Sequence, residues 1–389
     1  MLAFPVPEYQ ARLNKTKRRM AEAGLDVLLV TNPANMNYLS GYDGWSFYVH
    51  QLLVLPIDAS QPIWIGREID SPGARLTTWL DPAHIIPYPD DYVQSTTKHP
   101  MDFVSQHLRE TRRDRGAIGV EMVTYYYTAL AHARLERGLP DATFHDATSL
   151  VNRVRMIKSD REIDYMRRAA RIAERAMEAG ISSIAEGVRE CDAAASVFHA
   201  QISGTESFGG DYPAIVPLMP SGEKTSACHL TWTDERYRTG QSVTIELAGC
   251  YRRYHAPLSR TVVIGHPPAK VKDLAEIVVE GIAEVLDMIK PGITCEDVER
   301  TWSGVIAQRG LEKDDRMGYS TGLNYPPDWG EHTASLRKGD RTVLQPNMTF
   351  HLMPGMWYED YGVEISETVR VTDDGCEVLA RFPRQLFVK

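Results

Sequence analysis

The stretch Met156-Ile157-Lys158-Ser159-Asp160-Arg161-Glu162-Ile163 divides the chain and opens its larger part. Ser159 and Glu162 stand at capping-box spacing: a hydroxyl that can accept from free backbone N–H groups, and a carboxylate three residues on that can reach back. Ile163, Met166, Ala170, Ala173 and Met177 then recur at helical spacing until Gly180 ends the run. The pattern predicts a long amphipathic helix leading into a second domain. It sets the boundary near Asn152 to Ser159, giving domains 1–155 and 156–389. A chain of 389 residues exceeds the size that one core usually serves, so two domains are expected.

Upstream, helices and short apolar runs alternate. A helix is expected over about Glu8 to Ala23, stopped by Gly24, then a strand at Asp26–Val30. Strands at Gln51–Ile57 and Gln61–Gly66 flank the turn residues Asp58-Ala59-Ser60. A helix near Ser71–Leu80, a strand at Ala117–Glu121 and a helix near Tyr126–Glu136 complete a small α/β domain. Downstream, helices are expected over about Arg189–Ile202, Val271–Lys290 and from Thr294 to Gly310. Strands lie between them at Ser242–Glu246, Thr261–Ile264, Thr349–Met353 and Thr368–Val371. The fold class is α/β (α+β).

Composition narrows the function classes. A net charge of −9 argues against a nucleic-acid binder, which would carry a basic face. No apolar run approaches the ~18 residues that span a bilayer, and Met1 to Tyr9 lacks the basic and apolar regions of a signal peptide. The five cysteines are odd in number and form no CxxC pair, as for reduced thiols in a cytoplasmic protein.

The 156–163 stretch is similar to the start of the catalytic domain in the pita-bread superfamily of methionine aminopeptidase, prolidase, aminopeptidase P and creatinase. Four further segments carry the resemblance in order: Ser242-Val243-Thr244-Ile245-Glu246 with Ser259-Arg260-Thr261 beyond it, Gly318-Tyr319-Ser320-Thr321-Gly322, Phe350-His351-Leu352-Met353-Pro354-Gly355, and Ser366-Glu367-Thr368-Val369. It implies a creatinase-like α/β domain followed by a pita-bread catalytic domain. Peptidases of that superfamily hold two divalent metals with two Asp, one His and two Glu. Here those positions carry Glu246, Pro257, Tyr319, Met353 and Ser366. Proline offers no side-chain donor and a thioether suits soft metals, so the resemblance implies no metal and no other cofactor. The stretches Thr321 to His332 and Phe350 to Trp357 resemble bacterial ectoine hydrolases, which open a cyclic amidine; the small-molecule substrate so implied is an ectoine-like cyclic amidine.

An amidinium is planar, cationic and already electrophilic at its central carbon. A site for it needs negative charge, a nucleophile and a proton donor. Glu246 ends an apolar strand and is the candidate nucleophile or base; an ion pair with Arg260 is its alternative. His229, where the family has a catalytic His, would move the proton. Glu364 lies two residues before Ser366, a strand spacing that puts both on one face and lets Glu364 clamp the cation. Glu331 and Tyr319 are further contacts, the latter alternatively a core aromatic filling the place of a metal. In creatinase-like homodimers the small domain covers the partner's site, and Trp45, in the aromatic loop 41–48, would supply that cover. A hydrolase for another guanidino or amidino compound, or a silent binding protein, remain the alternatives.

Overall fold

A computed structural model describes residues 2–389. They form two units, one up to Arg155 and one from Met156 to Lys389. The first contains helices α1 (Val6–Glu22), α2 (Pro33–Ser40), α3 (Ser71–Thr77), α4 (Pro100–Glu110), α5 (Ala129–Gly138) and α6 (Leu150–Arg155). Its strands are β1 (Val27–Val30), β2 (Leu52–Pro56), β3 (Ile63–Arg67), β4 (Ile85–Tyr88), β5 (Gly116–Val120) and β6 (Ala142–Asp146), in the sheet order β4-β3-β2-β1-β5-β6. β2 is antiparallel to both neighbours; the other pairs are parallel.

Several of these elements were not expected from the sequence, for physical reasons. Every residue of α2 is buried, so it shows no amphipathic period. α4 is capped by His99, whose ring accepts the Met101 N–H at 3.1 Å, and His is not among the usual capping residues. β6 is an edge strand whose residues are exposed or half-buried, so no apolar run announces it.

The second unit begins with α7 (Asp160–Ser183), α8 (Glu190–Ser203) and the strands β7 (Ser242–Tyr251) and β8 (Tyr254–Val263). Then come α9 (Ala269–Met288), α10 (Cys295–Ala307), β9 (Gly318–Tyr325), β10 (Asp328–Leu336) and β11 (Thr349–Leu352). Short β12 (Met356–Trp357) and β13 (Gly362–Val363) pair together, and β14 (Glu367–Val371), β15 (Cys376–Val378) and β16 (Phe387–Val388) close the sheet. The capping box forms: Ser159 Oγ accepts the Glu162 N–H at 3.3 Å, and Glu162 Oε2 accepts the Ser159 N–H at 2.8 Å. All five apolar positions marked on α7 are buried, each of the larger side chains contributing roughly 1.5–3 kcal/mol.

β7 and β8 make a hairpin much longer than the expected strands, with Glu246 opposite Ser259 and Ala248 opposite Pro257. α7 packs so closely on it that a Cβ at Gly249 would sit 1.9 Å from the Ala169 carbonyl oxygen. Only glycine fits there. The segment 318–336, quoted above only for its motif, is the hairpin β9–β10, and β9 lies between β8 and β11. A large core lies where α9 and α10 cover this sheet through Val278, Ile282, Trp302 and Phe350.

Candidate functional site

Strand alternation decides which way Glu246 faces. Its neighbour Ile245 lies against α7, where a Cβ on Gly180 would meet the Ile245 Cδ1 at 3.2 Å. Glu246 therefore points to the opposite face. Arg260, paired in register with Ile245, does not reach it; its guanidinium meets Glu367 at 2.8 Å and gives further hydrogen bonds to the Ser259 and Ser366 carbonyls. The alternative expected for Glu246, an ion pair with Arg260, is not formed.

Residues 364–366 were expected on a strand and instead bridge β13 and β14 irregularly. Thr261 holds them to β8, its hydroxyl donating to the Glu364 carbonyl at 3.0 Å and accepting the Glu364 N–H at 2.9 Å. The Ser366 N–H donates to the Ser259 carbonyl at 3.1 Å, and the Ser259 hydroxyl reaches the Glu364 carbonyl at 3.3 Å. Ile365 enters the core between Glu364 and Ser366, which are themselves fully buried.

Glu364 is fully buried, and neither carboxyl oxygen has a hydrogen-bond partner. Burial raises its pKa to about 7, against the pull of Ser259 and of the Lys313 charge. Glu246 is 4% exposed. Burial holds its pKa well above the usual range, with the Glu364 charge the next cause and Asp328 behind it. The Glu364 charge raises Glu246, and two buried carboxyls coupled in this way titrate as a pair. The Cys228 thiol senses the same pair: burial first, then Glu364 and Glu246, push it up to about 11.

Beside the carboxyls runs a buried chain of hydrogen bonds. The Trp329 indole N–H donates to the Tyr319 hydroxyl at 2.7 Å. His351 Nδ1 lies 3.0 Å from that hydroxyl, and His351 Nε2 lies 2.8 Å from Ser366 Oγ. Burial, then the Arg316 charge, lowers the His351 pKa to about 3, so the ring is neutral. Indole can only donate, so the simplest tautomer follows. Tyr319 donates to His351 Nδ1, and the Nε2–H donates to Ser366, whose own proton stays available. Tyr319 is packed in a core cluster with Ala248 and Trp329 and hydrogen-bonded to His351; burial and then Glu246 keep its phenol protonated.

The other expected site residues are placed differently. His229 is exposed in the turn next to Cys228, and no described side chain hydrogen-bonds it. Glu331 is buried against Lys158 Nζ at 2.6 Å, so one carboxylate oxygen already holds a cation. Trp45 belongs to the first unit, 56% exposed, with its ring 4.8 Å from that of Phe47. The sequence reading missed His351, Trp329 and Lys313. His351 was detectable by period two from Met353, and Trp329 by its lone indole N–H in a buried hairpin.

A two-metal site does not fit these residues. Pro257 offers no side-chain donor, the Tyr319 oxygen is shared by Trp329 and His351, and both His351 nitrogens are engaged. Among the described residues no group of three or more His, Cys, Asp or Glu is gathered to hold an ion. The arrangement instead offers a buried cation a pair of carboxyls, a nucleophilic oxygen and a neutral donor chain.

Residues 164–373 match the model of metallopeptidase family M24, and residues 12–157 that of the creatinase/prolidase N-terminal domain. An uncharacterized hydrolase/peptidase, y4tM, of Sinorhizobium fredii is 49% identical, covering 100% of this chain and 99% of the relative. The ectoine hydrolase of Halomonas elongata is 46% identical over 100% of this chain and 99% of its own length. The prolidase of Thermococcus sibiricus superposes with a TM-score of 0.85 at 21% identity, over 98% and 99% of the two chains, a likeness of fold.

Proposed function

The chain belongs to metallopeptidase family M24, and on that footing we propose that it opens the cyclic amidine of ectoine by hydrolysis without a metal. The observation that carries the reading is the coupled pair Glu246 and Glu364, both buried, neither in an ion pair, with only the Lys313 charge, itself held by Asp315, acting on Glu364. Such a pair is costly in an empty site and suited to a delocalised cation. An amidinium supplies the missing positive charge and lets both carboxyls ionise. The likeness to the Halomonas elongata ectoine hydrolase supports ectoine as that amidine.

In this reading Glu246 attacks the amidine carbon, or removes a proton from the water that does. The carbon becomes tetrahedral and the C–N bond to one ring nitrogen breaks. That nitrogen takes a proton, which His229 delivers, and one water is consumed to give an N-acetylated 2,4-diaminobutyrate. A covalent glutamyl adduct and an activated water remain two routes to this product. Glu364 clamps the amidinium. Tyr319 and His351 hold Ser366 with its hydroxyl proton turned outward, a donor for developing charge. Glu331 keeps Lys158 in place and so shapes the wall. In a cytoplasmic homodimer, a setting that suits five free cysteines, Trp45 covers the partner's site.

The test is NMR of chelator-treated protein with ectoine. Appearance of an N-acetyl-diaminobutyrate signal at an unchanged rate supports both substrate and metal independence. Turnover that needs added Mn²⁺ or Zn²⁺ would return the chain to metal chemistry. No product with or without metal would reject ectoine.

A further inference from the structure

Arg316 stands just ahead of β9, half-buried, with its guanidinium carbon 4.2 Å from the centroid of the Tyr319 ring. It makes no ion pair and no hydrogen bond among the described residues. The other cations around the site are committed. Lys313 contacts Asp315 at 3.2 Å and the Gly355 carbonyl, Lys158 holds Glu331, and Arg260 holds Glu367. Asp328, which senses the Arg316 charge, is already engaged by His332 at 2.6 Å and by the Gly330 N–H at 2.9 Å.

We infer that Arg316 is the anchor for a carboxylate on the substrate, so that the site selects a zwitterion carrying an amidinium and a carboxylate. The inference rests on the amidine reading and adds the second charge to it. Tyr319 is the spacer. Its ring face carries Arg316 at 4.2 Å, and its hydroxyl end reaches the His351–Ser366 chain, so the guanidinium and that chain stand about one aromatic ring apart. A cyclic amidine with a carboxylate on the ring carbon beside a nitrogen presents its charges at a comparable separation. The guanidinium presents five donors in a planar fork that matches a carboxylate and that lysine does not reproduce. Stacking on Tyr319 orients the fork and leaves its N–H edges unspent. A peptide substrate would put a neutral amide where the amidinium belongs, and a simple amidine would leave Arg316 without a partner. The two mismatches act against different competitors.

The experiment compares two rings, ectoine and 2-methyl-1,4,5,6-tetrahydropyrimidine, which is the same amidine without the carboxylate. Kinetics are measured for the parent protein and for Arg316→Ala, Arg316→Gln and Arg316→Lys. Loss of a charge-assisted bidentate contact should lower kcat/KM for ectoine by about 10- to 100-fold in the Ala and Gln variants, through KM. Turnover of the uncharged-tail ring should stay within about threefold of the parent, the contact being absent from it. The Lys variant should fall between. Equal losses on both rings would overturn the inference, since Arg316 would then support the site in general. Unchanged kinetics on ectoine would overturn it as well. If the parent opens neither ring, the amidine reading itself fails and the anchor falls with it. Two replacements with intact thermal melts guard against a misfolded variant being taken for a result.

Discussion

Glu121 in the first unit and Glu364 in the second are both fully buried, and burial raises both to about 7. Their surroundings differ. Glu121 accepts the Thr31 and Asn32 backbone N–H groups, each at 2.7 Å, and the Asn35 side-chain amide, with the Arg155 charge beyond. Neither Glu364 oxygen has a partner within hydrogen-bond distance; the Ser259 hydroxyl and the Lys313 charge act on it from farther off. The first carboxyl is built into its domain: it ties the end of β1 to the start of α2, and Asn35 passes the link to Asn152 of α6. The second is held by its backbone while its functional end is left unsatisfied. A buried polar group with no partner costs stability, and such groups persist where a ligand completes them.

The comparison breaks most readily at the second unit. Glu246→Gln and Glu364→Gln keep shape while removing charge, and each should lower kcat/KM for ectoine by at least roughly a thousandfold. The melting temperature should hold or rise, because an unpaired buried ionisable group is lost. A folded Glu246→Gln protein that turns over near the parent rate would remove Glu246 from the chemistry. A marked fall in stability for Glu364→Gln would show that its carboxyl has a structural partner after all.

The mirror experiment addresses the first unit. Glu121→Ala would strand two backbone N–H groups and one amide that now share a carboxylate. We expect a loss of about 3–5 kcal/mol in denaturant unfolding, with the larger effect on the first unit. Activity per folded molecule should change far less than for the Glu364 variant. Large loss of turnover without loss of stability would join Glu121 to the site and erase the contrast.

Legibility in the sequence followed the same division. α7 was readable because cap and stripe agree in one stretch, and both formed as read; the stop expected at Gly180 did not, since the helix runs on to Ser183 and Gly180 instead gives room for Ile245. α2 and β6 were not: one is buried all round, the other is an edge strand with little buried surface, and periodicity informs only on half-buried elements. In the site, alternation along β7 turned Glu246 away from α7, whereas Glu364 and Ser366 lie on an irregular bridge across which a strand period cannot be read. Tertiary pairings could not be read that way. That Glu331 belongs to Lys158, Arg260 to Glu367, and His351 to both Tyr319 and Ser366 depends on chain segments 15 to 173 residues apart. Each is a polar side chain that could equally have faced the substrate.

The smallest effect is the dependence of stability on pH, and it tests whether the two carboxyls differ in accommodation or only in the presence of a ligand. A carboxyl whose folded pKa is about 7, against 4.5 in the open chain, binds more protons folded than unfolded between those values. Its contribution is therefore fully present below about pH 4.5 and is lost as pH rises through about 7. Glu364 and Glu121 should each remove up to about 3 kcal/mol across that window, and little more beyond it. Glu364→Gln should flatten its share of the slope between pH 5 and 8, measured by urea unfolding at fixed temperature. Saturating ligand should flatten it too, because an amidinium restores the charged carboxyl. Ligand should do nothing to the share owed to Glu121, whose donors are supplied by its own chain. A slope unaffected by both Glu364→Gln and ligand would mean that Glu364 ionises freely in the folded protein, and the distinction between the two regions would fall.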